Sequence, residues 1–259
     1  MKYLVEKRGA LWEFKIETFE QLRDLLENEI HGIEDCVFRG HANAKWKLTS
    51  TLDRLIQHAR LTGAKQGPIE QFVYKHLNRF RLEIRGRRGD NPPKLEENEL
   101  WALGQHYGLA TPLLDWSQSP YISTFFALAN LDNDGADRAL WCLNRTQLTL
   151  IQEKYYSRHN YEYCLSLIFP DSDDNKRLIG QSGLFSKGPV MKDVDEWVCE
   201  HERVSNQPVL LKVILPGSRS FRKSALKKLQ LMNITHSTLF PDIVGASLFC
   251  NIIAEGYET

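Results

Sequence analysis

Gln105-His106-Tyr107-Gly108-Leu109-Ala110-Thr111-Pro112-Leu113-Leu114-Asp115-Trp116-Ser117-Gln118-Ser119-Pro120, running into Phe125-Phe126-Ala127, is the richest mixture of polar and aromatic residues in this 259-residue chain. Upstream, Leu100, Leu103 and Tyr107 share one side of a helix that resumes near Lys94 and stops at Gly108. Downstream, Ser119 is placed to cap orphan amides and Pro120 to open a helix whose buried face is Ile122, Phe125, Phe126 and Ala129. Between the two, the turn residues predict a loop through Pro112 to Asp115-Trp116-Ser117, a place where binding groups are displayed on a rigid frame. Its aromatic rings suit a flat ring, and the amides at the start of the Ser119 helix suit an anion. Asp115 also reads as a turn cap, and Trp116, Phe125 and Phe126 as core.

Working outward, Thr18-Phe19-Glu20-Gln21 has capping-box spacing and opens a helix carrying Phe19, Leu22, Leu26 and Ile30 on one face. Asp35-Cys36-Val37-Phe38-Arg39-Gly40 predicts a short strand with Arg39 at its end. From Pro68 to Phe80, apolar residues recur at helical spacing, followed by Arg79, Arg81, Arg85, Arg87 and Arg88 and then by Gly89, Asn91, Pro92 and Pro93. That arginine run reads either as a solvated helix end or as a contact for an anionic substrate. Ala139–Leu143 and Val209–Leu215 predict buried strands, and the polar stretch between them, from Lys154 to Glu202, yields no assignment. A helix over Phe221–Met232, a strand over Ile234–Phe240 and a last helix opening at Pro241-Asp242 complete the pattern. With no repeat or low-complexity linker, one mixed α+β domain over residues 1–259 is expected.

The chain carries 33 basic and 33 acidic side chains, which argues against a protein that coats DNA by bulk charge but leaves a local basic groove open. Its opening residues lack the apolar core of a signal peptide and no segment has the length of a membrane span, so a cytoplasmic location is expected. Cys36, Cys142, Cys164, Cys199 and Cys250 are scattered and never form a CxxC pair, and the histidines form no HxxxH or HxxEH pattern. Neither a disulfide framework nor a metal site is therefore expected.

Two further clusters join the central one. In Phe38-Arg39-Gly40-His41, with Trp46 beyond, an arginine at a strand end offers a planar fork for phosphate or carboxylate, and the glycine lets backbone approach a ligand. An arginine paired with a buried acid is the competing reading. In Ser237-Thr238-Leu239-Phe240-Pro241-Asp242 the acid stands between an expected strand and helix, as a catalytic carboxylate or as a helix cap.

Together these clusters resemble the FRG domain family, whose signature stands here as Phe38-Arg39-Gly40. Trp46-Lys47-Leu48-Thr49-Ser50 with Arg54, the stretch Gln105–Ala127, Arg177 with Gln181-Ser182-Gly183-Leu184-Phe185, and Leu239-Phe240-Pro241-Asp242 extend the resemblance over about residues 30 to 255. The resemblance implies an ADP-ribosyltransferase-like fold with a split, mainly antiparallel sheet flanked by helices. It implies a toxin of a bacterial toxin–antitoxin or phage-defence system that uses NAD, without a metal, and moves ADP-ribose to a macromolecule, with an antitoxin protein as a further partner. On that mapping Arg39, Tyr107, Ser117 and Asp242 are the catalytic residues: Arg39 grips the NAD pyrophosphate, Tyr107 stacks on nicotinamide, Ser117 supports the ribose and Asp242 is the late acid. Phe38, Arg39, Gly40, His106, Tyr107, Asp115 and Trp116 bind NAD. Such transferases usually carry Glu at the late position, where this chain has Asp242, with Glu200 and Glu202 as other acids. The arginine run leans towards RNA or DNA as the acceptor. NAD hydrolysis and non-catalytic recognition of a ligand or protein are the alternative functions.

Overall fold

The strand Arg138–Asn144 is buried at all 7 of its positions, as a strand covered on both faces must be. In the computed structural model, which describes residues 2–30, 32–63, 67–130, 135–156, 163–169, 183–240 and 242–254, this strand lies inside one 8-stranded sheet. The strands are β1 (Leu4–Arg8), β2 (Leu11–Lys15), β3 (Cys36–His41), β4 (Leu113–Ser117), β5 (Arg138–Asn144), β6 (Ser166–Ile168), β7 (Gly183–Lys187) and β8 (Leu210–Leu215). Their order is β1-β2-β8-β5-β3-β4-β7-β6; β2 and β8 run parallel and every other neighbouring pair antiparallel. The fold is thus α+β, as the sequence leads one to expect.

Side-chain alternation along the central strands divides the core. Phe38, Leu140, Cys142, Leu211 and Val213 face one side, under α1 (Phe19–Asp24), α5 (Pro120–Ala129) and α8 (Arg219–Leu231). Val37, Trp141, Leu143 and Leu210 face the other, against α6 (Arg145–Tyr155) and α7 (Val194–Cys199). A third cluster joins α2 (Thr51–Leu61), α3 (Ile69–Glu83) and α4 (Glu97–His106) to Leu113 of β4 and Phe185 of β7. The chain is closed by α9 (His236–Leu239) and α10 (Ile243–Ile252).

Two expectations need correction. The expected loop through Asp115-Trp116-Ser117 is strand β4, paired with β7 at every position from Leu113↔Lys187 to Ser117↔Gly183. The ladder that makes it a strand lies some seventy residues along the chain, beyond the reach of local turn signals. The expected strand Ile234–Phe240 is instead helix α9. Thr235 and Thr238 form a reciprocal capping box, with Thr238 N on Thr235 Oγ1 at 3.2 Å and Thr235 N on Thr238 Oγ1 at 3.0 Å, which overrides the β-branched composition.

α5 is fixed from below by two fully buried arginines. Arg138 donates to Ala127 O (2.8 Å) and Asn130 O (2.9 Å), and Arg222 to Leu128 O (2.6 Å) and Ala129 O (3.3 Å). These bonds satisfy carbonyls that a helix C-terminus leaves without partners, and place cations where the helix dipole favours them. The opposite, N-terminal end of α5 therefore holds a fixed position beside β3 and β4.

Candidate functional site

The sheet is weakest between β3 and β4. Their register consists of the single pair Phe38↔Ser117, whereas β3 and β5 pair continuously from Cys36↔Asn144 to His41↔Ala139. Beyond Phe38 the strands diverge, and the Arg39 side chain fills the gap. Its Nη1 donates to the Asp115 carbonyl at 2.7 Å, a backbone acceptor left over where the ladder stops. The same nitrogen stands 3.5 Å from Asp115 Oδ2, and Arg39 Nε donates to His41 Nε2 at 3.1 Å. Arg39 Nη2 has no partner among the described residues. Asp115 is held from its far side by Gln105 Nε2 at 2.6 Å, and Gln105 Oε1 in turn accepts from the buried Thr111 hydroxyl.

Gly40 explains how a helix comes so close to this gap. A Cβ on Gly40 would stand 1.9 Å from Ser123 O and 2.6 Å from Ala127 N, so only glycine lets α5 lie flush on β3. That contact brings Ser117, Ser119 and Ser123 together: Ser119 caps α5 by accepting from Ile122 N, and Ser119 N donates to Ser117 Oγ at 3.1 Å. Ser123 is 1 % exposed, and its hydroxyl has no hydrogen-bond partner among the described residues. The result is an open cleft of about 400 Å³. Its polar lining is Arg39, Gln105, His106, Asp115, Ser117 and Ser123, and its aromatic lining is Phe38, Trp116, Phe126, Phe185 and Phe240. Phe126 and Phe240 meet edge-to-face at 6.0 Å, forming one wall. This is the size and mixture of a small-molecule site, apolar walls with a few convergent polar groups.

The charge in the cleft is biased positive around Arg39. Burial, and then the neighbouring Arg39 charge, push the His41 imidazole down to about 3, with Arg54 and Lys212 acting in the same sense against the Trp46 carbonyl. His41 is therefore neutral at physiological pH and accepts from Arg39. Burial also lowers Arg39 from its ordinary value, opposed by the Asp115 carboxylate. A guanidinium that is only 21 % exposed and faces a single, solvent-exposed carboxylate is poised to exchange that partner for an anionic ligand.

Most of the candidates from the sequence converge here. Phe38, Arg39, Gly40, His106, Asp115, Trp116 and Ser117 all line the cleft. Trp116 does so while 2 % exposed, with its N–H on Ser186 Oγ at 2.8 Å, so it serves the core as well. Tyr107 and Asp242 are not in the lining. Tyr107 is 75 % exposed, its ring edge-on to His106 at 4.9 Å at the rim. Asp242 caps α10, its Oδ1 accepting from Gly245 N at 3.0 Å, so the cap is the role the structure displays. Of the other acids, Glu200 pairs with Lys192. Arg177, Gln181 and Ser182 lie outside the described residues.

Ser123 lines the cleft without having been named, and Gln105, Phe240 and the β7 residues Gly183–Phe185, named only as parts of motifs, line it without having been given a role. For Gln105 a signal existed, since Ala102, Gln105 and His106 fall on one helical face at i, i+3 and i+4. Among the described residues no group of His, Cys, Asp or Glu is arranged to hold a metal ion, and no helix is long and apolar enough to cross a membrane.

The strand that supplies Arg39, the strand that supplies Asp115 and the helix that packs on Gly40 all fall within residues 34–135, and this segment matches the FRG domain family model. Residues 34–135 are similar to the FRG domain. No curated protein and no solved structure matches the chain. The FRG match runs from the turn before β3 to just beyond α5, so it contains the diverging strands and most of the cleft. The later stretches that also resemble the family, including Leu239–Asp242, fall outside the matched segment, as do β7 and Phe240.

Proposed function

We propose that the FRG cleft binds NAD and that the chain transfers ADP-ribose from it to a macromolecule. The observation that carries this reading is the meeting of Arg39 and Asp115 across the β3–β4 divergence, in a cleft with aromatic walls. In it Arg39 takes the diphosphate, using Nη2 and the donor now shared with Asp115, and the Phe126–Phe240 wall packs against a flat ring. Asp115 is the only carboxylate in the cleft lining among the described residues, so the acid role passes to it from Asp242. As the C1′–N bond breaks, its electron pair leaves with nicotinamide and positive charge develops on the ribose. Asp115 stabilises that charge, the acceptor oxygen or nitrogen bonds to C1′, and the acceptor proton passes to Asp115. The arginine supplies positioning rather than chemistry. On the same reading the chain acts in the cytoplasm as the toxin of a bacterial toxin–antitoxin or phage-defence pair.

Incubation with labelled NAD and cell extract tests the proposal. It predicts free nicotinamide together with labelled macromolecule. Nicotinamide without macromolecular label makes the chain an NAD hydrolase, and neither product leaves a non-catalytic binding module.

A further inference from the structure

Helix α3 has two unlike faces. Ile69, Phe72, Val73, Leu77, Phe80 and Ile84 pack inward on α4 and its neighbours. The outward face carries exposed Tyr74, Lys75, Arg79 and Arg81, with Arg85 and Arg87 exposed in the turn that follows. Between residues 75 and 88 stand Lys75, Arg79, Arg81, Arg85, Arg87 and Arg88 against one acid, Glu83. None of these cations makes an ion pair among the described residues; Arg81 donates to Asn78 Oδ1 and Arg88 to Pro93 O. A run of cations without close ion pairs along one helix face and the turn beyond it is an electrostatic footprint for an anionic polymer.

The strip also has rings and a direction. Tyr74 is 69 % exposed and Tyr107 75 % exposed, neither ring held by the core. Phe80 of α3 packs against Gly104 of α4, and His76 Nε2 reaches Ala110 O at 2.9 Å. The strip therefore lies on the helix packed next to α4, which gives Gln105 and His106 to the cleft. Tyr107, edge-on to the cleft residue His106, stands at the end of α4.

We infer that the outer face of α3 is a binding surface for single-stranded nucleic acid, with arginines along the phosphates and Tyr74 and Tyr107 stacking on unpaired bases. A base can stack on an exposed ring only where it is not already paired, which favours a single strand over a duplex. The binding itself stands independently of the NAD reading; the bound strand's role as ADP-ribose acceptor rests on it.

Fluorescence anisotropy with labelled mixed-sequence 15-mers of RNA and DNA, single-stranded and duplex, tests this surface. Wild type is expected to bind single strands with Kd of about 1–100 μM at low salt, with a log–log salt slope of roughly −0.7 per phosphate contacted. The combined variant Arg79→Gln, Arg81→Gln, Arg85→Gln and Arg87→Gln should bind at least tenfold more weakly with a shallower slope. Tyr74→Ala should weaken single-strand binding several-fold and leave duplex binding unchanged. All these residues are exposed, so circular dichroism and Tm should match wild type. Preference for the RNA or the DNA strand identifies the source. Absence of binding, equal binding by the arginine variant, or binding only to phosphatidylserine vesicles overturns the inference. Nicotinamide release measured in parallel separates the two readings: a wild type that binds oligonucleotides but spares NAD refutes the transferase and leaves the surface standing.

Discussion

Replacing Gly40 by alanine adds one methyl group at the point where α5 lies on β3. The new Cβ would stand 1.9 Å from Ser123 O and 2.6 Å from Ala127 N, against ordinary contact distances of 3.4–4 Å. Both neighbours are backbone atoms of a helix pinned at its C-terminus by Arg138 and Arg222, so no side-chain rotation relieves the clash. α5 must move away by about 1.5 Å, which strips contacts around Phe125, Ala127 and Leu128. Overpacking costs about 1–3 kcal/mol where side chains adjust, and an immovable backbone puts this case at the upper end, about 3 kcal/mol. For a chain of this size that lowers Tm by roughly 6–12 °C. Urea and thermal unfolding measure it, with Gly63→Ala as the control: Gly63 has φ +80 and nothing within 4 Å of a Cβ, so its cost is confined to left-handed strain of about 1–2 kcal/mol. A Gly40→Ala variant that unfolds within 1 kcal/mol of wild type would show that α5 does not rest on β3 as described.

His41→Gln tests the electrostatics. Because folding holds the imidazole down to about 3, the unfolded chain takes up a proton near 6.5 that the folded chain refuses. Stability should therefore fall as pH drops from 6.5 towards 3, by up to about 1.4 kcal/mol per pH unit from this group. The variant should show a shallower loss between pH 7 and 5, and parallel curves in urea titrations would refute the assignment. Asp242→Ala should cost about 1 kcal/mol through loss of the α10 cap and leave nicotinamide release unchanged; abolished release in a folded variant would return the acid role to Asp242. Tyr107→Ala, at an exposed rim position, should leave NAD affinity within about threefold of wild type by calorimetry. A larger loss would mean the ring closes over the ligand.

What the sequence made legible depended on how local its cause was. Ser119-Pro120 set the start of α5 because a cap and its amides are neighbours. The strands Arg138–Asn144 and Leu210–Leu215 were legible because strands buried on both faces read as near-continuous apolar runs, here Ala139–Leu143 and Val209–Leu215 broken only by Lys212. β4 was not, because Leu113–Ser117 becomes a strand only through pairing with Gly183–Lys187. Ile234–Phe240 misled because β-branched residues outweighed the Thr235–Thr238 cap in a short reading. At the site, Arg39 and Asp115 were both nameable from the family resemblance and from their chemistry. Their meeting was not, since it depends on where the β3–β4 ladder ends and on a glycine whose importance is the helix carbonyl above it. Tyr107 was given the nicotinamide-stacking role by the family resemblance alone, on a helix side shared with Leu100 and Leu103; at the end of α4 its ring is instead turned outward.

Nicotinamide release from NAD, measured chromatographically with cell extract present, decides whether Arg39 and Asp115 form one NAD-cleaving site. Wild type should release nicotinamide, and Arg39→Ala and Asp115→Asn, both folded by circular dichroism, at least hundredfold less. No release by folded wild type, or release undiminished in Asp115→Asn, would contradict it.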